Sequence, residues 1–485
     1  MRTLARLWID RSSRLALQEQ LARQIRELIQ EGELASGDPL PSTRDLANEL
    51  KVSRNTAVYA YDRLISEGYL ESEPRSGVFV SRSIDLSRRR KRPTKKAAVG
   101  NPPKLHAPAP FRPCQPDVEL FPLLTWNRMR GRALRREGRK ILNYQASCVG
   151  GFPALRQAIA SYLRDHRGVQ CDWHQVVVTA GSQQALFLLA RLLLGAESQV
   201  YVEDPGYVEA RLACADTGAH VIPGGVDGEG LRPPDDESAA ISLVYTTPSR
   251  QFPTGVSLSL PRRLALIDYA SRTETWIVED DYDSELRYGA PPLPSLQSLD
   301  TGGKVIYIGT FSKLLFPSLR LGYVVVPEPL LERFVELVHL NGDHLPLVDQ
   351  ATLALFLECG AFYTHIRRCR REYSARQALF LELFSQTGLP IAFGDSDGGM
   401  NLVGFLPKGS DDRAWSRLLE SKGFDVPSLS HYAVEPTDPG LVFGFTAFSP
   451  EKLREAFNRV RPVLEQAART EDAKLHRPRR KAATR

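Results

Sequence analysis

Apolar residues Leu17, Leu21, Ile25, Leu28 and Ile29 recur at the three-and-four spacing of an amphipathic helix, and Gly32 follows where such a helix stops. Ser42 precedes residues 43–50, with Asp45 three positions on as an acidic variant of a capping box, so a second helix starts there. Pro41 keeps the chain extended ahead of that cap. After the short turn Lys51-Val52, Ser53 can cap a third helix reaching about Glu67, buried through Ala57, Leu64 and Ile65 and ended by Gly68. Residues 69–72 and 78–80 flank Glu73-Pro74-Arg75-Ser76-Gly77, the pattern of a small β-hairpin. Helix, turn, helix and hairpin in this order predict a winged helix-turn-helix.

From residue 81 to 110 the periodicity disappears and Arg, Lys and Pro accumulate ("SRRRKRPTKK", then "NPPKLHAPAP"), as in an extended linker. Beyond it, strand-like runs at 176–178, 199–202, 241–245, 276–278, 305–308 and 323–326 alternate with helical patterns at 182–194 and 260–272. That alternation predicts an α/β domain with a mainly parallel sheet. A long helical region from about residue 349, strands at 401–405 and 441–445 and a last helix near 450–466 predict a smaller C-terminal α+β subdomain. The expected division is 1–81 for the winged helix, 82–110 for the linker, 111–466 for the large domain and 467–485 for a disordered basic tail.

A chain of 485 residues exceeds what one core supports, which agrees with several domains. With 42% hydrophobic and 25% charged residues and no apolar run long enough for a bilayer, nothing is expected to span a membrane. The first ten residues lack the features of a signal peptide, so a cytoplasmic protein is expected. Six cysteines without C-x-x-C or zinc-type spacing predict neither disulfide nor metal. The net charge of +6 is concentrated: residues 81–110 carry nine Lys and Arg against one acid, and residues 467–485 carry seven against two. Such segments suit phosphate backbones as well as a solvated linker and tail.

In a winged helix the start of the third helix faces the major groove, and here it reads Ser53, Arg54, Asn55, Thr56. Arg54 can pair with a guanine edge and Asn55 with an adenine, while Arg44 and Arg75 are placed for phosphates or the minor groove. The stretch "LPSTRDLANELKVSRNTAVYAYDRLISEGYLESEPRSGVFV" resembles the DNA-binding domain of the GntR regulators, over about residues 12–81. The resemblance implies that Arg44, Ser53, Arg54, Asn55, Thr56 and Gly77 contact double-stranded operator DNA. Val58 stands where some members carry a second basic residue, so the base preference does not carry over.

Four segments at strand ends hold the candidate chemistry. "TAGSQQAL" sets Gly181, Ser182 and Gln183 between a strand and a helix, where amides, a hydroxyl and the helix dipole can cradle a phosphate. "VEDDYDSE" puts Asp280 and Tyr282 at the end of a buried strand; a carboxylate there can keep a pyridine nitrogen protonated, though acids at a strand end also suit a metal. "GTFSKLLFPSLRLGY" brings Lys313, Ser312 and Arg320 together, an amine for a Schiff base with a hydroxyl and a guanidinium for phosphate. "YTTPSRQFPTG" is a Pro-rich turn fit to line a pocket.

Together these segments resemble fold-type I pyridoxal phosphate enzymes of the aminotransferase class. Joined to a GntR domain, they resemble the MocR/GabR regulators over about residues 12–466. The resemblance implies a Schiff base on Lys313, Asp280 on the pyridine nitrogen and Tyr282 on the ring oxygen. It also implies Gly181, Ser182, Gln183, Ser312 and Arg320 on the phosphate, Tyr207 on the ring face, and Tyr144 reaching the partner's phosphate in a homodimer. The implied function is a regulator that senses an amino compound through external aldimine formation. The rivals are a working aminotransferase that carries a DNA-binding domain, and a cofactor-free dimerisation scaffold.

Four positions depart from the pattern. Val442 stands where aminotransferases usually place a substrate-carboxylate arginine, Asn401 and Arg250 stand where relatives often have histidine, and Cys114 replaces a frequent glycine. Arg250 is expected either to bind the effector's acidic group or to be a surface arginine at a loop tip.

Overall fold

The computed structural model describes residues 7–13, 15–74, 76–83, 109–143, 148–235, 240–289, 293–342, 345–394 and 397–475. Most of the expected linker, Arg75 and Tyr144 lie outside them. The chain divides into two units, Met1–His106 and Ala107–Arg485.

In the first unit, α1 (Leu17–Gln30), α2 (Thr43–Glu49) and α3 (Arg54–Ser66) pack on a three-stranded sheet of β1 (Pro39–Leu40), β2 (Leu70–Glu73) and β3 (Gly77–Val80), in the order β1-β3-β2. The apolar positions that predicted the helices are its core: Leu21, Ile25, Ala57 and Leu64 are fully buried. Ser42 and Ser53 both cap, each side chain accepting a backbone N–H, from Asp45 at 3.2 Å and from Thr56 at 3.1 Å. The Tyr61 hydroxyl donates to the Pro41 carbonyl at 3.0 Å and ties α3 to the entry of α2. Each expected element is present within a residue or two, and the two-residue strand β1 is additional.

The second unit is built on eight strands: β4 (Val176–Thr179), β5 (Gln199–Asp204), β6 (His220–Asp227), β7 (Gly230–Leu231), β8 (Ile241–Thr246), β9 (Trp276–Asp281), β10 (Val305–Thr310) and β11 (Gly322–Val325). Their order is β4-β11-β10-β9-β8-β5-β6-β7. The β10–β9, β9–β8, β8–β5 and β5–β6 pairs are parallel, and β11 runs antiparallel to both neighbours. The reversal has a simple cause: residues 311–321 between β10 and β11 are too few for the helical crossover a parallel pair needs. Helices α4 (Leu123–Glu137), α5 (Pro153–Arg167), α6 (Ser182–Leu193), α7 (Val208–Ala215), α8 (Leu260–Thr273), α9 (Leu296–Leu299), α10 (Glu328–Leu340) and α11 (Leu347–Glu358) belong to this unit. Because β10, inside the sheet, is buried on both faces, it reads as a continuous apolar run, and so does β4 at the edge, which is equally buried.

The smaller subdomain pairs β12 (Ala392–Phe393), β13 (Asn401–Phe405) and β14 (Gly440–Gly444) antiparallel, with α12 (Ala361–Ser385), α13 (Asp412–Ser421) and α14 (Pro450–Leu475). The helical region expected from residue 349 is two helices, broken at Gly360 with φ +77°. The tail expected from residue 467 is corrected in its first part, since α14 continues to Leu475. Ala467 is buried in the core, and Glu471 accepts from the Asp411 amide at 3.1 Å and the Trp415 indole at 3.3 Å. A charged sequence without Gly or Pro therefore continues as helix because α13 gives it a partner. Among the described residues no helix is long and apolar enough to cross a membrane.

Candidate functional site

The carboxyl ends of β4, β5, β8, β9 and β10 open on one cavity of about 420 Å³, where an open α/β sheet offers its crevice. Gly181, Ser182, Gln183, Tyr207, Asp280, Tyr282, Ser312, Lys313 and Arg320 all line it. Nine sequence-predicted residues, more than a hundred positions apart at the extremes, are thus brought together.

The acids of β9 and the residues after it do not act as one group. Glu279 accepts the amides of Leu296 and Gln297, both at 2.9 Å, and so caps α9. Asp281 accepts from Arg167 at 2.8 Å, from Tyr307 at 2.5 Å and from Ser284 at 2.9 Å. Of these acids only Asp280 faces the cavity, with the Tyr245 hydroxyl on Oδ2 at 2.9 Å and, among the described residues, no partner on Oδ1. Burial pushes its carboxyl up to about 7, against the pull of the Tyr245 hydrogen bond. The Tyr282 hydroxyl and Ser312 Oγ are also buried without a hydrogen-bond partner. Orphaned buried polar atoms are costly unless something satisfies them. An acceptor at Asp280, a phenol at Tyr282 and a hydroxyl at Ser312 fit the pyridine nitrogen, ring oxygen and phosphate of pyridoxal phosphate.

The phosphate end is a backbone device. Gly181, with φ +80°, is the N-cap of α6, and it lines the cavity together with Ser182 and Gln183 of the first turn, where a helix leaves amides unpaired. Gly322 is required beside it: a Cβ there would lie 2.8 Å from the Gly181 Cα. Arg320 adopts a left-handed φ of +51° and donates to the Ala180 carbonyl at 3.2 Å, which sets its guanidinium beside Gly181. The Tyr207 hydroxyl donates to Gln183 Oε1 at 3.1 Å, and its ring stands edge-on to Phe252 with centroids 6.0 Å apart. Lys313 Nζ donates to the Cys114 carbonyl at 3.2 Å.

Arg250, in the turn after β8, is not a surface arginine and does not line the cavity. It is 6% exposed, sits 3.5 Å from Asp283 and donates to the Asn401 carbonyl at 2.5 Å. The departures Arg250, Asn401 and Cys114 form one connected cluster, because the Cys114 thiol donates to Asn401 Oδ1 at 3.3 Å. Cys114 has φ +54°, a left-handed conformation that favours glycine. Val442 is fully buried in β14 opposite Val403. In this cavity sequence reasoning missed Tyr245 and, although it singled out Cys114, the part that the Cys114 carbonyl plays. A phenol closing the apolar run "ISLVY" is the one signal that could have found the first.

On the first unit, Arg44 of α2 and Arg54 and Asn55 of α3 are exposed. Ser53 and Thr56 are engaged with each other: Thr56 is buried, and the two hydroxyl oxygens lie 2.9 Å apart. Tyr59, one turn beyond Asn55 on the same face, is 61% exposed and was not foreseen. Gly77 opens β3 with φ +112°, a conformation that favours glycine at the hairpin turn.

A winged helix-turn-helix on one unit and, on the other, a cavity that fits pyridoxal phosphate define a DNA-binding regulator with an aminotransferase fold. Residues 17–80 match the bacterial regulatory proteins of the gntR family, and residues 124–460 match aminotransferase class I and II. The probable rhizopine catabolism regulatory protein MocR of Rhizobium meliloti is 36% identical, over 94% of this chain and 96% of its own. The pyridoxine biosynthesis transcriptional regulator PdxR of Corynebacterium glutamicum is 34% identical over 90% and 93%. The chain belongs to the MocR/GabR subfamily of GntR transcription regulators. Among solved structures, Pyrococcus horikoshii kynurenine aminotransferase in complex with PMP superposes with a TM-score of 0.68 at 26% identity, covering 75% of this chain and 92% of that one. LysN of Thermus thermophilus, complexed with N-(5'-phosphopyridoxyl)-L-leucine, gives 0.68 at 27%, covering 75% and 93%. The cofactor of this fold and site is pyridoxal phosphate.

Proposed function

We propose that this regulator senses a primary amino compound at Lys313 and converts that event into a change of operator binding. When bound, pyridoxal phosphate supplies an electrophilic carbonyl carbon with which primary amines condense. The observation that carries the reading is the set of buried, partnerless polar atoms on Asp280, Tyr282 and Ser312 facing the same cavity as Lys313.

Asp280 holds the proton on the pyridine nitrogen, Tyr282 orients the ring oxygen and Tyr207 flanks the ring. Gly181, Ser182, Gln183, Ser312 and Arg320 hold the phosphate. Lys313 would hold the carbonyl end of the cofactor, the position for which an effector's amine would compete. Its acceptor in this structure, the Cys114 carbonyl, belongs to the segment through which the second unit begins. An effector shifts such an equilibrium only by its difference in affinity for the two arrangements, so it must touch parts that move.

On DNA, Arg54 and Asn55 read bases in the major groove, Ser53 and Thr56 hold the helix start, and Arg44, Arg75 and Gly77 meet the backbone or minor groove. The protein acts on double-stranded operator DNA in the cytoplasm, as a homodimer in which Tyr144 reaches the partner subunit's phosphate. Leu123, Leu124 and Leu142, at 59%, 81% and 69% exposure, give the second unit an apolar surface for that contact.

The test is operator binding by the cofactor-loaded protein, followed by anisotropy while amino compounds are added. An amine-dependent shift that is lost in Lys313→Ala is expected. Oxo-product formation over many turnovers, with unchanged DNA binding, would favour the working-aminotransferase reading instead.

A further inference from the structure

Helix α3 spends only part of its apolar surface on holding the first unit together. Ala57, Ala60, Tyr61 and Leu64 are buried in the core and Ile65 packs at its margin, but Val58 and Tyr59 belong to neither group. Val58 is half-buried and Tyr59 is 61% exposed, and the Tyr59 hydroxyl has no hydrogen-bond partner among the described residues. At about 100° per residue, Val58, Tyr59 and Asp62 fall with Asn55 on the side of the helix turned away from that core. Two adjacent apolar side chains therefore stand on the face that begins with Arg54 and Asn55, and the fold of the unit does not use them.

Charge points this pair away from the phosphate backbone. Past Arg54 the helix carries one cation, Arg63, and it is held by Glu67 at 2.8 Å and by Glu19. Asp62, exposed and three residues beyond Tyr59, repels phosphates, so the helix is attractive to DNA only as far as Tyr59. A valine and an aromatic ring gain chiefly from apolar surface withdrawn from water. In the major groove the base edges are polar except at one group, the C5-methyl of thymine. From Asn55 to Tyr59 is about 6 Å along the axis at about 1.5 Å per residue, or about two base-pair steps of 3.4 Å.

We infer that Val58 and Tyr59 form an apolar reader for the C5-methyl of a thymine, within about two base pairs of the base that Asn55 meets. The inference rests on the major-groove reading proposed above. It makes Tyr59 a specificity residue for the operator, in a helix whose remaining cation is already engaged.

The experiment uses the cofactor-loaded full chain and the duplex it enriches from a random library, with each thymine replaced in turn by deoxyuridine, which removes the methyl and nothing else. At one thymine the replacement is expected to weaken binding about three- to fivefold, the contribution of one buried methyl, and at the others hardly at all. Tyr59→Ala should weaken the thymine duplex by at least that factor and make thymine and deoxyuridine equal. Tyr59→Phe should keep the preference, and Val58→Ala should reduce it. Both positions lie outside the core, so the melting temperature of the first unit should hold in all three variants. Absence of a deoxyuridine penalty at every thymine, or a penalty that persists unchanged in Tyr59→Ala, overturns the inference. A loss in Tyr59→Phe as large as in Tyr59→Ala and uniform over all duplexes also overturns it, and gives the hydroxyl to a phosphate. If Arg54→Ala and Asn55→Ala bind the enriched duplex as tightly as the parent chain, the major-groove reading itself fails.

Discussion

The Tyr245 hydroxyl donates to Asp280 Oδ2 at 2.9 Å, and among the described residues this is the only hydrogen bond that the cavity-facing carboxylate receives. Removing that donor in Tyr245→Phe leaves both carboxylate oxygens partnerless and pushes the Asp280 carboxyl further up, so it is more often neutral when the pyridine nitrogen needs an anion. A hydrogen bond to a charged group is worth about 1.5–3 kcal/mol. Affinity for pyridoxal phosphate, read by absorbance titration, should fall at least about tenfold. Unchanged affinity would mean that Asp280 does not serve the pyridine nitrogen.

The same residue gives a pH dependence with a definite sign. Its carboxyl lies near 3.8 in the unfolded chain and about 7 in the cofactor-free fold, so between these values the folded state binds the extra proton. Stability from this group is therefore lost as pH rises from about 4 through 7. Relative to Asp280→Asn, the cofactor-free protein should melt progressively lower as pH is raised from 5 to 8. A constant difference would contradict the buried, uncompensated state of Asp280.

On the first unit, cap and reader separate. Ser53→Ala removes the acceptor for the Thr56 amide and should cost about 1 kcal/mol of that unit's stability, weakening all DNA sequences alike. Arg54→Ala should leave the melting temperature nearly unchanged but cost about 1–3 kcal/mol on the preferred operator and relax specificity at one base position. Binding measured on matched and mismatched duplexes distinguishes them.

The exposed leucines predict assembly. Leu124→Asp places a charge on a side chain that is 81% exposed, so the fold of one subunit tolerates it. Sedimentation should show monomers where the parent chain is dimeric. A variant that stays dimeric would move the interface elsewhere.

Chain ends are also testable. Truncation after residue 466 removes buried Ala467 and Glu471, and with Glu471 the acceptor of Asp411 and Trp415, so the melting temperature should drop by several degrees.

These cases mark what the sequence made legible. Caps, strand alternation and the motif order gave both units and the lining of the cavity, because each depends on residues adjacent in the chain. The roles of Tyr245, Cys114 and Arg250 depend on partners 35, 199 and 151 positions away, a pairing that no local pattern encodes. Glu279, Asp280 and Asp281 show the limit most clearly, since alternation along one strand sends three consecutive acids to a helix cap, a cavity and an arginine. The end of α14 was misjudged for a related reason: its continuation is stabilised by α13, more than fifty residues earlier.

The most direct measurement is reduction of the protein with borohydride after incubation with pyridoxal phosphate, followed by peptide mass mapping. The account predicts visible absorbance before reduction and a single phosphopyridoxyl adduct on the peptide containing Lys313, absent in Lys313→Ala. A colourless protein, or an adduct scattered over surface lysines with none at position 313, would contradict it.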